Sequence, residues 1–191
     1  MVALVRTDQW LGGQKQVGEQ EALRILIRRY LSAYGSADSR DFSKWSGLPA
    51  SEVRPIWYSL EKDFFAVDMP GRRGFMLRED AKALGNQDPE CGVLHLLPSF
   101  DAYMLGHSEK QHLVEARHYK RVFRDQWWIS PAILLDGRVI GTWVTARGKK
   151  NAVLSIEPFE KLSKPHRARI EAEVESLARF LQTPYEIKWK A

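Results

Sequence analysis

Residues 36–63, SADSRDFSKWSGLPASEVRPIWYSLEKD, carry the punctuation of two helices joined by a tight turn. Asp38 or Ser39 can cap a short first helix that buries Phe42 and Trp45, Gly47 ends it, and Leu48-Pro49 supplies the turn. The second helix buries Val53, Ile56, Trp57 and Leu60. With Ser51 as N-cap and a start near Glu52, Pro55 falls in the first turn, where a backbone N–H has no intrahelical acceptor to lose. Upstream, EQEALRILIRRYLSAYG (19–35) repeats Leu23, Leu26, Ile27, Tyr30, Leu31 and Tyr34 at helical spacing, and Gly35 stops it. Downstream, FFAVDM (64–69) and FMLRED (75–80) are apolar runs joined by Pro70, Gly71, Arg72, Arg73 and Gly74, the composition of a β-hairpin. Three helices followed by a hairpin is the order of a winged helix.

A winged helix places its second turn-linked helix in the major groove of DNA and its hairpin along the backbone or in the minor groove. The exposed side of that helix holds Ser51, Glu52, Arg54, Ser59 and Lys62, of which only Arg54 is a good bidentate donor to guanine. Phosphate contact is therefore expected over base reading, with Arg72 and Arg73 on the hairpin tip adding two cations. The alternative is a helix–turn–helix used as scaffold or protein contact. Arg24, Arg28 and Arg29 on the first long helix fit either phosphate contact or an ordinary solvated stripe.

The rest of the chain changes period. Residues 1–18 read as an arm anchored by Trp10 and Leu11, 19–85 as the winged helix, and 86–191 as a second domain, with the turn-forming GNQDPECG (85–92) between the halves. VLHLLPSFDAYMLGH (93–107) is an apolar run broken by Pro98 and Gly106. Within WWISPAILLDGRVIGTWVTARGKKNAVLSIEPF (127–159), Asp136-Gly137 is a type I′ hairpin signal, and Arg147 to Asn151 form a basic loop between two further strands. The expected fold is α+β: a winged helix–turn–helix, then a small antiparallel β-barrel-like domain, then a C-terminal helix over about 163–182 with Ile170, Val174, Leu177 and Phe180 inward.

Composition excludes several classes. The lone Cys91 allows neither an internal disulfide nor a thiolate zinc site, and suits a reducing compartment. No apolar run approaches the length of a membrane helix and the N-terminus lacks a signal-peptide order, so a cytoplasmic protein, nucleoid-associated when bound, is expected. Net charge is +5 and the pI near 9.3, which suits an anionic partner. Residues 19–85 nevertheless hold eleven Lys/Arg against ten Asp/Glu, so a phosphate-binding face must come from the placement of charges.

At LLPSFDAYMLGHSEK (96–110), SPAILLDGRVIGTW (130–143), EPFEKL (157–162) and the E-x-E-V-x-x-L-A-R-F pattern of 171–180, the chain resembles a known winged-helix family. That family includes bacterial DNA glycosylases that excise alkylated purines and unhook interstrand crosslinks. VRTDQWLGG (5–13), RYLSAYGSADSRDFSKWSGLP (29–49) and the hairpin follow in the same order, so the resemblance covers nearly all of the sequence. It implies tandem winged helices packed with a β-barrel around a channel for duplex DNA, and base removal without a metal or cofactor. Longer members carry a catalytic Gln-x-Gln or Gln-x-Asp motif in a winged helix upstream of the region matched here. Gln14-Lys15-Gln16 spells Gln-x-Gln but lies in the arm, where the family has a linker.

Chemistry beyond the resemblance is sparse. None of the five histidines has the helical spacing of a zinc site, and no phosphate loop or nucleophile elbow is present. Asp101 and His107 form a candidate acid–base pair, against the reading of Asp101 as a turn-capping residue beside a core Tyr103. Trp127, Trp128 and Trp143 either stack on an unpaired base or fill a core. The resulting expectation is a binder of double-stranded DNA. It would use Arg54, Lys62, Arg72, Arg73, Arg147, Lys149 and Lys150, with no metal and no cofactor, and no catalytic residue beyond the candidates Gln14, Gln16, Asp101 and His107. The alternative is a glycosylase acting alone or with a chain that supplies the upstream winged helix. Self-association through the surface such a helix would cover is a third partner class.

Overall fold

A computed structural model describes residues 4–13, 16–69, 71–84, 92–147 and 152–190, and these fall into two units that divide between Lys82 and Ala83. The first opens with α1 (Thr7–Leu11), inside the expected arm, followed by α2 (Glu19–Tyr34), α3 (Ser39–Ser46) and α4 (Ala50–Ser59). On α2 the apolar period buries Ile27, Tyr30 and Leu31, and Gly35, at φ 69°, ends it. Asp38 caps α3 by accepting from the amides of Arg40 (2.8 Å) and Asp41 (3.0 Å), while the Asp41 carboxylate accepts from the Asp38 amide at 3.1 Å. This is a capping box with aspartate where Glu or Gln is usual.

The start of α4 differs from expectation. The helix begins at Ala50 with Pro49 as its N-cap, and Ser51 caps nothing. Pro55 consequently sits in the second turn, where its missing N–H deprives the Ser51 carbonyl of its i+4 donor. Ser51 is exposed, so solvent can take that carbonyl. The buried side of α4, Val53, Ile56 and Trp57, is as the period predicts and packs with Tyr30, Phe42 and Phe64.

Strands β1 (Phe64–Met69) and β2 (Arg72–Leu77) form the hairpin, with Asp68 opposite Arg73 and Met69 opposite Arg72. Both arginines therefore lie in the strand and not on the tip. Ala37, between α2 and α3, adds a two-bond bridge to β2: its amide donates to the Phe75 carbonyl (3.0 Å) and its carbonyl accepts from Phe75 (2.8 Å). Helix α5 (Arg78–Leu84) crosses the division between the units. The expected linker, apart from Gly92, lies outside the described residues.

The second unit runs β3 (Leu94–Leu97), α6 (Ala102–Leu105), α7 (Tyr119–Val122), β4 (Ala132–Leu135), β5 (Arg138–Arg147), β6 (Ala152–Pro158), α8 (Lys164–Leu181) and β7 (Tyr185–Trp189). Its sheet has the order β3-β4-β5-β6-β7, antiparallel up to β6 and parallel between β6 and β7. The expectation of a purely antiparallel, barrel-like sheet is thus corrected. The chain does not finish on a helix: α8 carries it back across the sheet, and a helical crossover lets the next strand run parallel. Asp136 and Gly137 have φ of 49° and 78°, the positive pair a type I′ turn needs. Ile170 and Val174 are buried on α8, whereas Phe180, expected inward, is 83% exposed. The 170-174-177 stripe continues to 181, and Phe180 falls about 100° off it. Among the described residues no helix is long and apolar enough to cross a membrane.

Candidate nucleic-acid interface

The capped start of α3 decides what the hairpin arginines can do. Asp41 is fully buried, and Arg72 Nη1 donates to its Oδ2 at 2.7 Å while standing 3.6 Å from Asp38. The Arg72 side chain is 10% exposed, so its charge is spent on this molecule's own carboxylates. Arg73 is the next residue on the strand and points to the opposite face. It is 67% exposed, with Asp68, 91% exposed, 3.6 Å away. Of the two hairpin arginines expected to meet phosphate, Arg72 is instead engaged in pinning the hairpin to α3, and Arg73 faces solvent. Burial raises the Tyr30 hydroxyl pKa far above its ordinary value, and the nearby Asp41 carboxylate adds to that.

Arg54 is exposed on α4 beside Tyr58, which is 60% exposed and was not singled out by sequence. The two border a hollow of about 260 Å³ whose floor includes Trp57 and Phe75. Arg40, at its rim, is held by Asp38 at 2.8 Å. Lys62 is exposed, and its backbone carbonyl accepts from Arg78 Nε at 2.8 Å. On α2, Arg28 is paired with Asp63 and Arg24 lies 3.7 Å from Glu21, so this stripe is mostly committed internally.

In the second unit, Asp101 caps α6 by accepting from the Tyr103 amide at 2.9 Å. The Tyr103 hydroxyl donates to the Gly137 carbonyl at 3.2 Å, which ties the type I′ turn to this motif, and burial raises its pKa. His107 meets His112 edge-on with ring centroids 4.6 Å apart, and its carbonyl accepts from Lys110 Nζ. Asp101 thus serves as the turn-capping group. Gln16 is exposed between α1 and α2. Gln14, Lys149, Lys150 and the Arg147 side chain lie outside the described residues. Among the described residues no three His, Cys, Asp or Glu side chains converge as a metal site would require.

A second cationic feature escaped the sequence reading. Arg121, Arg124 and Lys190 border a groove of about 740 Å³ whose walls include Ser99, Trp128 and Trp143. Arg121 donates to Glu157 at 2.8 Å, which holds that carboxyl below its usual range, and Lys190 lies 3.6 Å from the same group. Lys190 comes from the end of β7 and Arg124 from the loop before β4, so no sequence spacing could bring them together.

A family model for AlkZ-like DNA glycosylases matches residues 3–180. The chain belongs to the AlkZ-like DNA glycosylase family. It is similar to an interstrand DNA cross-link repair glycosylase of Streptomyces sahachiroi, with 33% identity over 163 residues, covering 83% of this chain and 43% of the relative. It is also similar to the solved structure of the Streptomyces sahachiroi DNA glycosylase AlkZ, at a TM-score of 0.75 and 30% identity, over 91% of this chain and 47% of that one. This AlkZ-like chain therefore spans less than half the length of both relatives.

Proposed function

We propose that this chain binds double-stranded DNA, mainly through phosphates, with its first unit acting as a winged helix–turn–helix. The Ala37–Phe75 bridge supports that architecture, because it ties the segment between α2 and α3 to the hairpin beside the three helices. The observation that carries the binding reading is a sorting of charge. Asp38 and Asp41 are consumed by the α3 cap and by Arg72, whereas Arg54, Lys62 and Arg73 stand exposed. Glu52, Glu61 and Asp68, the last 3.6 Å from Arg73, remain open on the same stretch, so affinity is modest and comes from position.

Three neutralised phosphates give a log–log salt slope near −2.7, or roughly a 40-fold loss of affinity between 50 and 200 mM salt. Contacts from Arg147, Lys149 and Lys150 would steepen it further. Fluorescence anisotropy with a labelled duplex should find this dependence, and the combined Arg54→Ala, Lys62→Ala, Arg73→Ala variant should flatten it. A flat salt response, or a triple variant that binds like the parent, removes the proposal.

Family membership favours a second reading, excision of an alkylated or crosslinked base; the Streptomyces relative is named an interstrand DNA cross-link repair glycosylase. Incubation with alkylated or crosslinked duplex separates the two. Abasic product supports the enzyme, and retained binding with no product leaves the binding unit alone.

A further inference from the structure

The two sides of the sheet in the second unit are unequally covered. Leu154, Ile156, Ile187 and Trp189 pack with Ile170 and Val174 of α8. Side chains alternate along a strand, so Ser155 and Glu157 on β6, and Lys188 and Lys190 at the end of the chain's last strand, point the other way. On that second side Ala132 and Leu134 of β4 pack with Met104, Leu113 and Val122. Ala132 pairs with Thr142, and Thr142 with Glu157, so the same surface runs on into Thr142, Val144, Ser155 and Glu157. There the cover stops: Val144 is 50% exposed, and the groove bordered by Arg121, Arg124 and Lys190 opens over these strands.

The lining has the donor set of a phosphate-binding surface. Hydroxyls come from Ser99, Ser130, Thr142, Thr145 and Ser155, and among the described residues that line the groove there is no Asn or Gln to read a base edge. Ser130 is only 8% exposed, yet its hydroxyl bonds to no described residue. Arg124 is exposed beside the Phe123–Ile129 bridge and makes no ion pair among the described residues. Arg121 donates to one oxygen of Glu157 at 2.8 Å and lies 4.5 Å from the Phe159 ring centre, while Lys190 stands 3.6 Å from the other oxygen. Three lining cations thus meet one lining carboxylate. Asp125 and Glu186 are exposed close by in the chain but do not line the groove, and Glu186 is 3.6 Å from Lys188. A carboxylate clasped by a cation on each oxygen has the charge and geometry of a phosphate held the same way.

We infer that this groove is a second DNA-binding face, which holds the phosphodiester backbone of one strand on Arg124, Lys190 and the Ser130 hydroxyl, and that Glu157 competes with the phosphate for Lys190. Arg124 has no such competitor and makes the first contact. Lys190, on a flexible stem, turns from Glu157 to the phosphate, whereas Arg121 stays against Phe159. The inference rests on the reading of the chain as a DNA binder, and it adds a contact surface on the second unit whose strength is limited by the protein's own carboxylate.

Anisotropy with a labelled duplex compares the full-length parent with Glu157→Gln and Arg124→Ala. Glutamine keeps an oxygen for Arg121 and loses the charge. Glu157→Gln should bind roughly fivefold more tightly at about 50 mM salt, the upper end for a partly exposed ion pair, with a log–log salt slope steeper by about 0.9. Arg124→Ala should make the slope shallower by about the same amount. Both effects should persist when Arg54, Lys62 and Arg73 are all alanine. A purely structural pair gives the opposite sign, because Glu157→Gln then loosens Arg121 and leaves affinity unchanged or lower. Either result overturns the inference, as does an Arg124→Ala variant with the parent's slope. Groove variants that act as expected while the triple alanine variant binds like the parent uphold the groove and remove the first unit's role. The reverse pattern removes the groove alone, and no binding by the parent or by Glu157→Gln removes both.

Discussion

Arg72→Met is expected to lower the free energy of unfolding by about 3–5 kcal/mol, the range for removing one partner of a buried ion pair. Methionine keeps most of the volume, so the loss is electrostatic. Asp41 is fully buried, and without Arg72 Nη1 at 2.7 Å its charge is left against the core face of α3. The Asp38 amide still donates to Asp41, but a neutral donor does not replace a guanidinium. Adding Asp41→Asn to the Arg72→Met variant should recover much of the loss, because the uncompensated charge disappears while an oxygen remains for the Asp38 amide. Urea unfolding with an unchanged m-value measures both effects. A decrease below about 1 kcal/mol, or no recovery in the double variant, would show that Arg72 does not hold the hairpin to α3. The same variants test the charge sorting. At temperatures where the Arg72→Met variant is folded, its salt slope for duplex DNA should match the parent's, whereas Arg73→Ala should reduce the slope by about 0.9.

The distinction between Arg72 and Arg73 marks where sequence stops informing. Helix α2, the buried side of α4, the Asp136-Gly137 turn and the length of α8 follow from local rules of period, cap and turn, and each is readable within a few residues. The fate of two adjacent arginines depends on register. Whether Arg72 or the next residue faces α3 is set by the pairing of Asp68 with Arg73 and Met69 with Arg72, and a shift of one position would exchange their roles. Strand β7 was present as the alternation Tyr185, Ile187, Trp189, but its parallel partner lies a whole helix earlier in the chain. The groove was the least legible feature. Arg121, Trp143, Glu157 and Lys190 meet only after the sheet has formed, and the positive φ at Gln126 and Trp127 contradicts what those residue types prefer. Local inconsistency of that kind accumulates at functional sites.

Gly141→Ala should destabilise the second unit by about 3 kcal/mol, the upper end for overpacking a tight site. A Cβ at this position would stand 2.8 Å from the Glu157 carbonyl oxygen and 2.9 Å from Pro158 Cα, both backbone atoms of the paired strand. Strand β5 lies between β4 and β6, and on its other side the ladder is already irregular, with a register shift between Ile133 and Leu134. Movement away from β6 is therefore opposed by β4, and the strain must open the β5–β6 ladder. Gly74→Ala is the contrast. There the Cβ meets Met69 Cε at 2.5 Å and Sδ at 3.1 Å, the end of a flexible thioether, with backbone no nearer than the Ala37 amide at 3.4 Å. Met69 can turn aside, so the loss should stay below about 1 kcal/mol. Thermal unfolding of the two variants side by side decides the matter, and a Gly74 variant less stable than the Gly141 variant would overturn this ranking. Thr142 and Trp143 follow Gly141 directly and line the groove, so an opened ladder reaches the site as well as the fold.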